Sequence, residues 1–138
     1  MLSLTFRRFA RYTQGFGRRL ITLALEPSKM TFIRDVQSLQ SFEKRSEVTI
    51  GSFDGVHLGH QAILKQVKDR AAEFGLPAVA MTFEPQPQEF FSGEKAPARL
   101  MRLRDKVEAL LEFGLDHVLC LHFNPALSKL TATEFVKL

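Results

Sequence analysis

From residue 47 to residue 123 the sequence alternates short apolar runs with long stretches of helical periodicity, and few architectures accommodate that order. Residues 47–50 (EVTI) form a β-branched run closed by Gly51, which suits a buried strand. The next segment, 58–74, predicts a helix, because Ile63, Leu64, Val67, Ala71 and Phe74 recur at helical spacing and trace one face. Gly75 stands where a left-handed C-terminal cap is wanted, and Pro77 bars continuation. Residues 78–83 (AVAMTF) read as a second strand, ended by Glu84-Pro85-Gln86-Pro87. Two prolines spaced by one residue predict an extended loop, neither helix nor central strand. A second helix is predicted over 100–113, with Leu103, Val107, Leu110 and Leu111 inward and Gly114 as its stop; 117–123 reads as a third strand. Thr131 and Glu134 have capping-box spacing and open a last helix.

The order β-α-β-α-β-(α) implies right-handed crossovers and a parallel sheet with helices on its faces, an α/β fold of the Rossmann-like kind. About three strands are half of such a sheet. Because the chain stops at Leu138 without a cap, glycine or polar tail, residues 30–138 are expected to be the front part of a larger domain. The alternative to an active enzyme is a truncated chain that binds its ligand weakly or does not fold alone, since an open sheet edge is a liability.

The formal charge of +4 is unevenly spread. Residues 1–29 carry six basic residues (Arg7, Arg8, Arg11, Arg18, Arg19, Lys29) against Glu26 alone, which leaves 13 basic and 14 acidic residues over 30–138. The basicity belongs to a leader, and the near-neutral remainder does not concentrate charge as a nucleic-acid-binding face does. The leader reads either as a transit-like extension or as a start assigned too early, with Met30 the favoured first residue. No apolar run approaches the roughly 18 residues a membrane span requires. Cys120 is the one cysteine, so no intrachain disulfide forms and a reducing compartment, the cytoplasm, is expected.

The informative string is Gly51-Ser52-Phe53-Asp54-Gly55-Val56-His57-Leu58-Gly59-His60, between the first strand and the first helix. Ligands of open α/β sheets bind outside the carboxyl ends of the strands, and a helix N-terminus favours phosphate. Gly51 and Gly55 are expected to let the backbone approach a ligand, and Gly59 to permit close contact. Three residues apart on a first helical turn, His57 and His60 face the same way. Each donates a hydrogen bond to phosphoryl oxygen and gains charge if protonated, which suits the transfer of a nucleotidyl group. As a metal pair they lack a third ligand at recognisable spacing.

This string closely resembles the nucleotide-binding signature of bacterial FAD synthetases, the adenylyltransferase module of bifunctional riboflavin kinase/FAD synthetases within the His-x-Gly-His nucleotidyltransferase superfamily. TFEPQP at 82–87, the run at 98–119 and LTATEFV at 130–136 extend the likeness. The resemblance implies transfer of the AMP part of ATP to FMN, giving FAD and diphosphate. His57 and His60 would contact the ATP phosphates. Gly51, Ser52, Phe53, Asp54, Gly55 and Gly59 would shape the nucleotide site. Pro85 and Pro87 would line the flavin side, the plainer alternative being a strand-ending turn. Mg²⁺ is expected on the phosphates, with no protein metal site assigned. Ser52 stands where the family often has Asn, and Gln86 where His is common. A further Asn-bearing loop, an Arg and a Ser near a later helix, and a riboflavin kinase domain would lie beyond Leu138. A related transferase acting on pantetheine phosphate or nicotinamide mononucleotide is the neighbouring alternative, and TFEPQP argues against it.

Four weaker signals remain. Arg99, Arg102, Arg104 and Lys106 read as a solvated helix face, the alternative being a phosphate-facing patch. His117 and His122 bracket the third strand and read as structural. Cys120 reads as a small buried residue. Asp54 is either a Mg²⁺ contact or a loop-closing residue.

Overall fold

A computed structural model of the chain describes residues 31–34 and 45–137. The basic leader 1–29, Met30 and Leu138 lie outside the described residues, so the reading of the leader does too.

Four strands form one parallel sheet: β1 Thr31–Ile33, β2 Glu47–Ile50, β3 Ala78–Glu84 and β4 His117–His122, in the order β1-β4-β3-β2. Three were expected. The extra strand, β1, spans only three residues, too few to show periodicity, and it pairs with a strand far along the chain, Phe32 opposite Val118. The two inner strands are the most apolar, as burial on both faces requires.

Alternation along the strands divides the core. Ala78 and Ala80 of β3 and Val118 of β4 face one side, where Leu64, Ala71, Val107 and Leu110 pack on them. Val79 and Leu119, Leu121 face the other, where Ile33 joins them and Leu127 and Phe135 lean in. The first side is covered by α1 (Leu58–Phe74) and α3 (Leu103–Glu112). α1 ends as predicted: Gly75 adopts φ 63°, and Leu76 N–H donates to Ala71 O at 2.8 Å. Its inward stripe is narrower than expected, however. Leu64 and Ala71 are buried and Val67 partly so, while Ile63 and Phe74 are 47% and 58% exposed.

The prolines also require a correction. Pro85 stands in a bend after β3, joined to Glu84 by a cis peptide bond, and Pro87 is the first residue of a short helix, α2 (Pro87–Ser92). A first helical position tolerates proline because its missing N–H would have had no partner there. The last helix, α4 (Ala132–Phe135), carries the expected capping box, with Glu134 N–H donating to Thr131 Oγ1 at 3.3 Å and Thr131 N–H to Glu134 Oε2 at 2.8 Å.

Candidate functional site

The loops after β2 and β3 lie side by side, because their strands are neighbours with Ile50 opposite Met81. After Ile50, Gly51 N–H makes one last ladder bond to Met81 O at 3.0 Å. The chain then turns sharply through Asp54–Val56, with Phe53, Gly55 and Val56 at φ 49°, 75° and 38°. Glycine takes such values freely, but a phenylalanine and a β-branched valine do so at a cost of about 1–3 kcal/mol each. Burial holds them: Phe53 is 2% exposed, and its ring sits in the core under α1. Gly51 also makes room for that ring: a side chain there would stand 3.1 Å from it.

The turn delivers His57 to the N-cap of α1, where its Nδ1 accepts from His60 N–H at 3.4 Å. That bond places the His57 proton on Nε2. The His57 and His60 rings stack with centroids 3.7 Å apart and 22° between planes, and the Phe53 ring meets His60 edge-on at 5.4 Å. A side chain on Gly59 would stand 3.2 Å from the His57 ring, so the close contact that this glycine permits is with an imidazole. Burial, and secondarily the neighbouring His57, push His60 below the usual histidine pKa, with Asp54 opposing and Lys106 adding to the drop. His60 is thus neutral near pH 7, and its buried Nδ1 meets no hydrogen-bond partner among the described residues. Ser52 is exposed on the same rim, its carbonyl accepting from Thr82 Oγ1 at 3.4 Å.

The loop after β3 is held by charge. The Arg99 guanidinium forks onto Glu84, with Nη1 and Nη2 at 2.9 and 2.7 Å from its carboxylate oxygens, and also bonds both oxygens of Glu89. Hydrogen bonding from Arg99 holds the Glu89 carboxyl below its ordinary pKa, and Arg99 itself is raised. Half-buried Pro85 and Pro87 flank buried Gln86, whose Nε2 meets no described partner. Beside them Phe90, Phe91 and Phe123 pack edge to face at 5.2–5.8 Å.

Asp54 closes loops: its carboxylate accepts from Leu100 N–H at 2.8 Å and Met101 N–H at 3.0 Å. The basic cluster is therefore split. Arg102 and Arg104 are solvated as expected, but Arg99 is a clamp and Lys106 is 0% exposed. The Lys106 ammonium has no hydrogen-bond partner among the described residues. Burial lowers its pKa, against the pull of Asp54 and Glu84. A signal for this existed, since Lys106 lies three residues after Leu103 and four before Leu110, on the inward face of α3. His122 Nδ1 sits 3.1 Å from Glu84 O, a structural role as read, and Cys120 is buried, which pushes its thiol up.

A conserved-domain description of FAD synthetase matches residues 39–138, taking in the glycine turn, the histidine pair and the proline loop. The chain belongs to the FAD synthetase family. It is 50% identical over 107 residues to a bifunctional riboflavin kinase/FMN adenylyltransferase of Pseudomonas fluorescens, and 45% identical over 108 residues to that of Escherichia coli K12. Each match covers 78% of this chain and 34% of the relative, so the chain spans about a third of the length of the curated relatives it matches. Among solved structures it resembles a macrolide-efflux protein from Streptococcus pneumoniae, with a TM-score of 0.61 and 26% identity over 77% of this chain and 36% of that one. Among the described residues of this FAD synthetase family member, no helix is long and apolar enough to cross a membrane. Nor do any of the described His, Cys, Asp and Glu side chains gather in threes that could hold a metal.

Proposed function

We propose that residues 30–138 form the ATP-gripping front part of an FMN adenylyltransferase domain, which transfers the AMP part of ATP to FMN. The observation that carries this reading is the stacked pair His57 and His60 at the start of α1, held 3.7 Å apart by a strained turn. The first amides of a helix have no acceptor within it. His57 caps that of His60, and those of Leu58 and Gly59 have no acceptor within the helix. Triphosphate oxygens supply the acceptors this array lacks. A phosphate oxygen of FMN would attack the α-phosphorus in line, forming the new P–O bond as the bond to diphosphate breaks. The imidazoles would stabilise the spreading negative charge by donating hydrogen bonds. His60, neutral at rest, would serve as a donor rather than a standing cation. Gly51, Ser52, Phe53, Asp54, Gly55 and Gly59 would shape the nucleotide side, with Phe53 acting from beneath. Pro85 and Pro87, rigid and half-buried, would wall the flavin side.

The two oxygens of Asp54 are engaged by Leu100 and Met101, and no other carboxylate stands on the turn. These residues do not fit a protein-held Mg²⁺, so a divalent ion would arrive on the ATP phosphates. The relatives' names support a partner riboflavin kinase activity in the whole protein. A buried free thiol at Cys120 is consistent with a cytoplasmic setting. The test is His57→Ala with His60→Ala in the whole protein, following FAD formation from FMN and ATP. A fall of about 10²–10³-fold per lost donor is expected, and an undiminished rate sinks the proposal.

A further inference from the structure

Three consecutive residues, Arg99, Leu100 and Met101, fasten the two loops of the site to each other. On one side the Arg99 guanidinium holds Glu84, at the end of β3, and Glu89, in the first turn of α2, on either side of Pro85 and Pro87. On the other side the Leu100 and Met101 amides donate to Asp54 in the glycine turn. The Leu100 side chain also lies over Gly55, so close that a Cβ there would stand 3.0 Å from Leu100 Cδ1. Met101 anchors the strap in the core, packing partly buried against it. Leu100 is largely exposed, and Arg99 and its two carboxylates are each about a quarter to a third exposed. Its bonds are nevertheless the short, charge-assisted kind that fix geometry as well as add stability.

We infer that Arg99 is a positioning residue, which sets the proline loop against the glycine turn so that the groups held by the two loops meet in register. This rests on the assignment of the glycine turn to ATP and the proline loop to FMN. Arg99 touches neither substrate in this account. It acts through Glu84, Glu89 and the two amides that follow it in the chain.

The test uses the whole protein, with Arg99→Met, Arg99→Lys and Asp54→Asn. Binding of FMN and of an ATP analogue resistant to cleavage at the α-phosphate is measured separately by calorimetry, and amide exchange is followed at Leu100 and Met101. Arg99→Met is expected to weaken FMN binding about tenfold, the scale of lost charge-assisted bonds, and to leave the analogue within about twofold. Arg99→Lys should recover part of the loss, because one ammonium meets one carboxylate but cannot fork across two. Asp54→Asn should speed exchange at Leu100 and Met101 and also weaken FMN binding, although Asp54 sits on the other loop. Unchanged FMN affinity in both Arg99→Met and Asp54→Asn overturns the inference. So does an equal loss of both ligands with a lowered Tm, which would mean that the bonds only hold the fold. If the wild-type protein binds neither ligand, the assignment of the loops fails by itself. The strap is then judged by exchange alone: faster exchange at Leu100 and Met101 in Arg99→Met supports it, and unchanged exchange refutes it.

Discussion

The loop after β2 and the loop after β3 occupy equivalent places in the fold, yet they are held by opposite means. The first is short and strained, with Phe53 and Val56 in left-handed conformations, both buried, and the Asp54 carboxylate tied to two backbone amides. Its imidazoles are largely unspent: His60 Nδ1 has no described partner, and the two rings stack on each other. The second is longer, and it is tied by a guanidinium that satisfies two carboxylates. On the proposed reading, the turn keeps its imidazole donors for ATP and is shaped largely by packing, while the proline loop, as a wall for FMN, is locked by charge.

The comparison can be broken first at its anchor. Phe53→Ala should cost about 3–5 kcal/mol, read as a lowered denaturant midpoint, whereas truncating exposed Leu100 to Ala should stay within about 0.5 kcal/mol. Similar costs for the two would show that the turn does not depend on its buried ring. Gly55→Ala comes next, at about 1–3 kcal/mol, because alanine must adopt φ 75° against Leu100. Adding Leu100→Ala should return the steric part of that loss and leave the backbone part, which Tm measurements on the single and double variants would separate.

Lys106→Met should act in the other direction. Removing a fully buried ammonium without a described partner should stabilise the protein by about 1–3 kcal/mol near pH 7. Its folded pKa is lowered, so the unfolded chain holds the proton more tightly. Wild-type stability should therefore rise as pH climbs from the folded pKa toward about 10.5, and the variant should lose that slope. A destabilised Lys106→Met would mean that the ammonium has a partner after all. The smallest effect belongs to His60. Its pKa is lowered by burial and by His57, so the unfolded chain protonates first as pH falls below about 6.5, and stability declines there. His60→Gln should flatten that decline in a pH series of melting curves, and an unchanged slope would remove His60 as its source.

Much of this was legible along the chain. Three strands, two long helices, the left-handed Gly75 and the Thr131 and Glu134 capping box all follow from near-neighbour patterns, where steric and hydrogen-bonding rules act within a few residues. The histidine spacing and its place between strand and helix were legible for the same reason. What escaped had no local signature. β1 is too short to show a period, Pro87 reads as a breaker unless the helix is known to begin on it, and Lys106 looks solvated beside Arg102 and Arg104.

The sequence by itself determined the alternation of the main strands and helices from β2 onward, the family signature and which side chains stand at the head of α1, because periodicity and capping are short-range. Only the tertiary structure decided that Arg99 closes on Glu84 and Glu89, that Asp54 reaches across 46 residues to Leu100, and that Lys106 of α3 lies buried. Those choices depend on which strands become neighbours and how deeply each helix face sinks. Parallel pairing brings together loops distant in the chain, and no local pattern records that meeting.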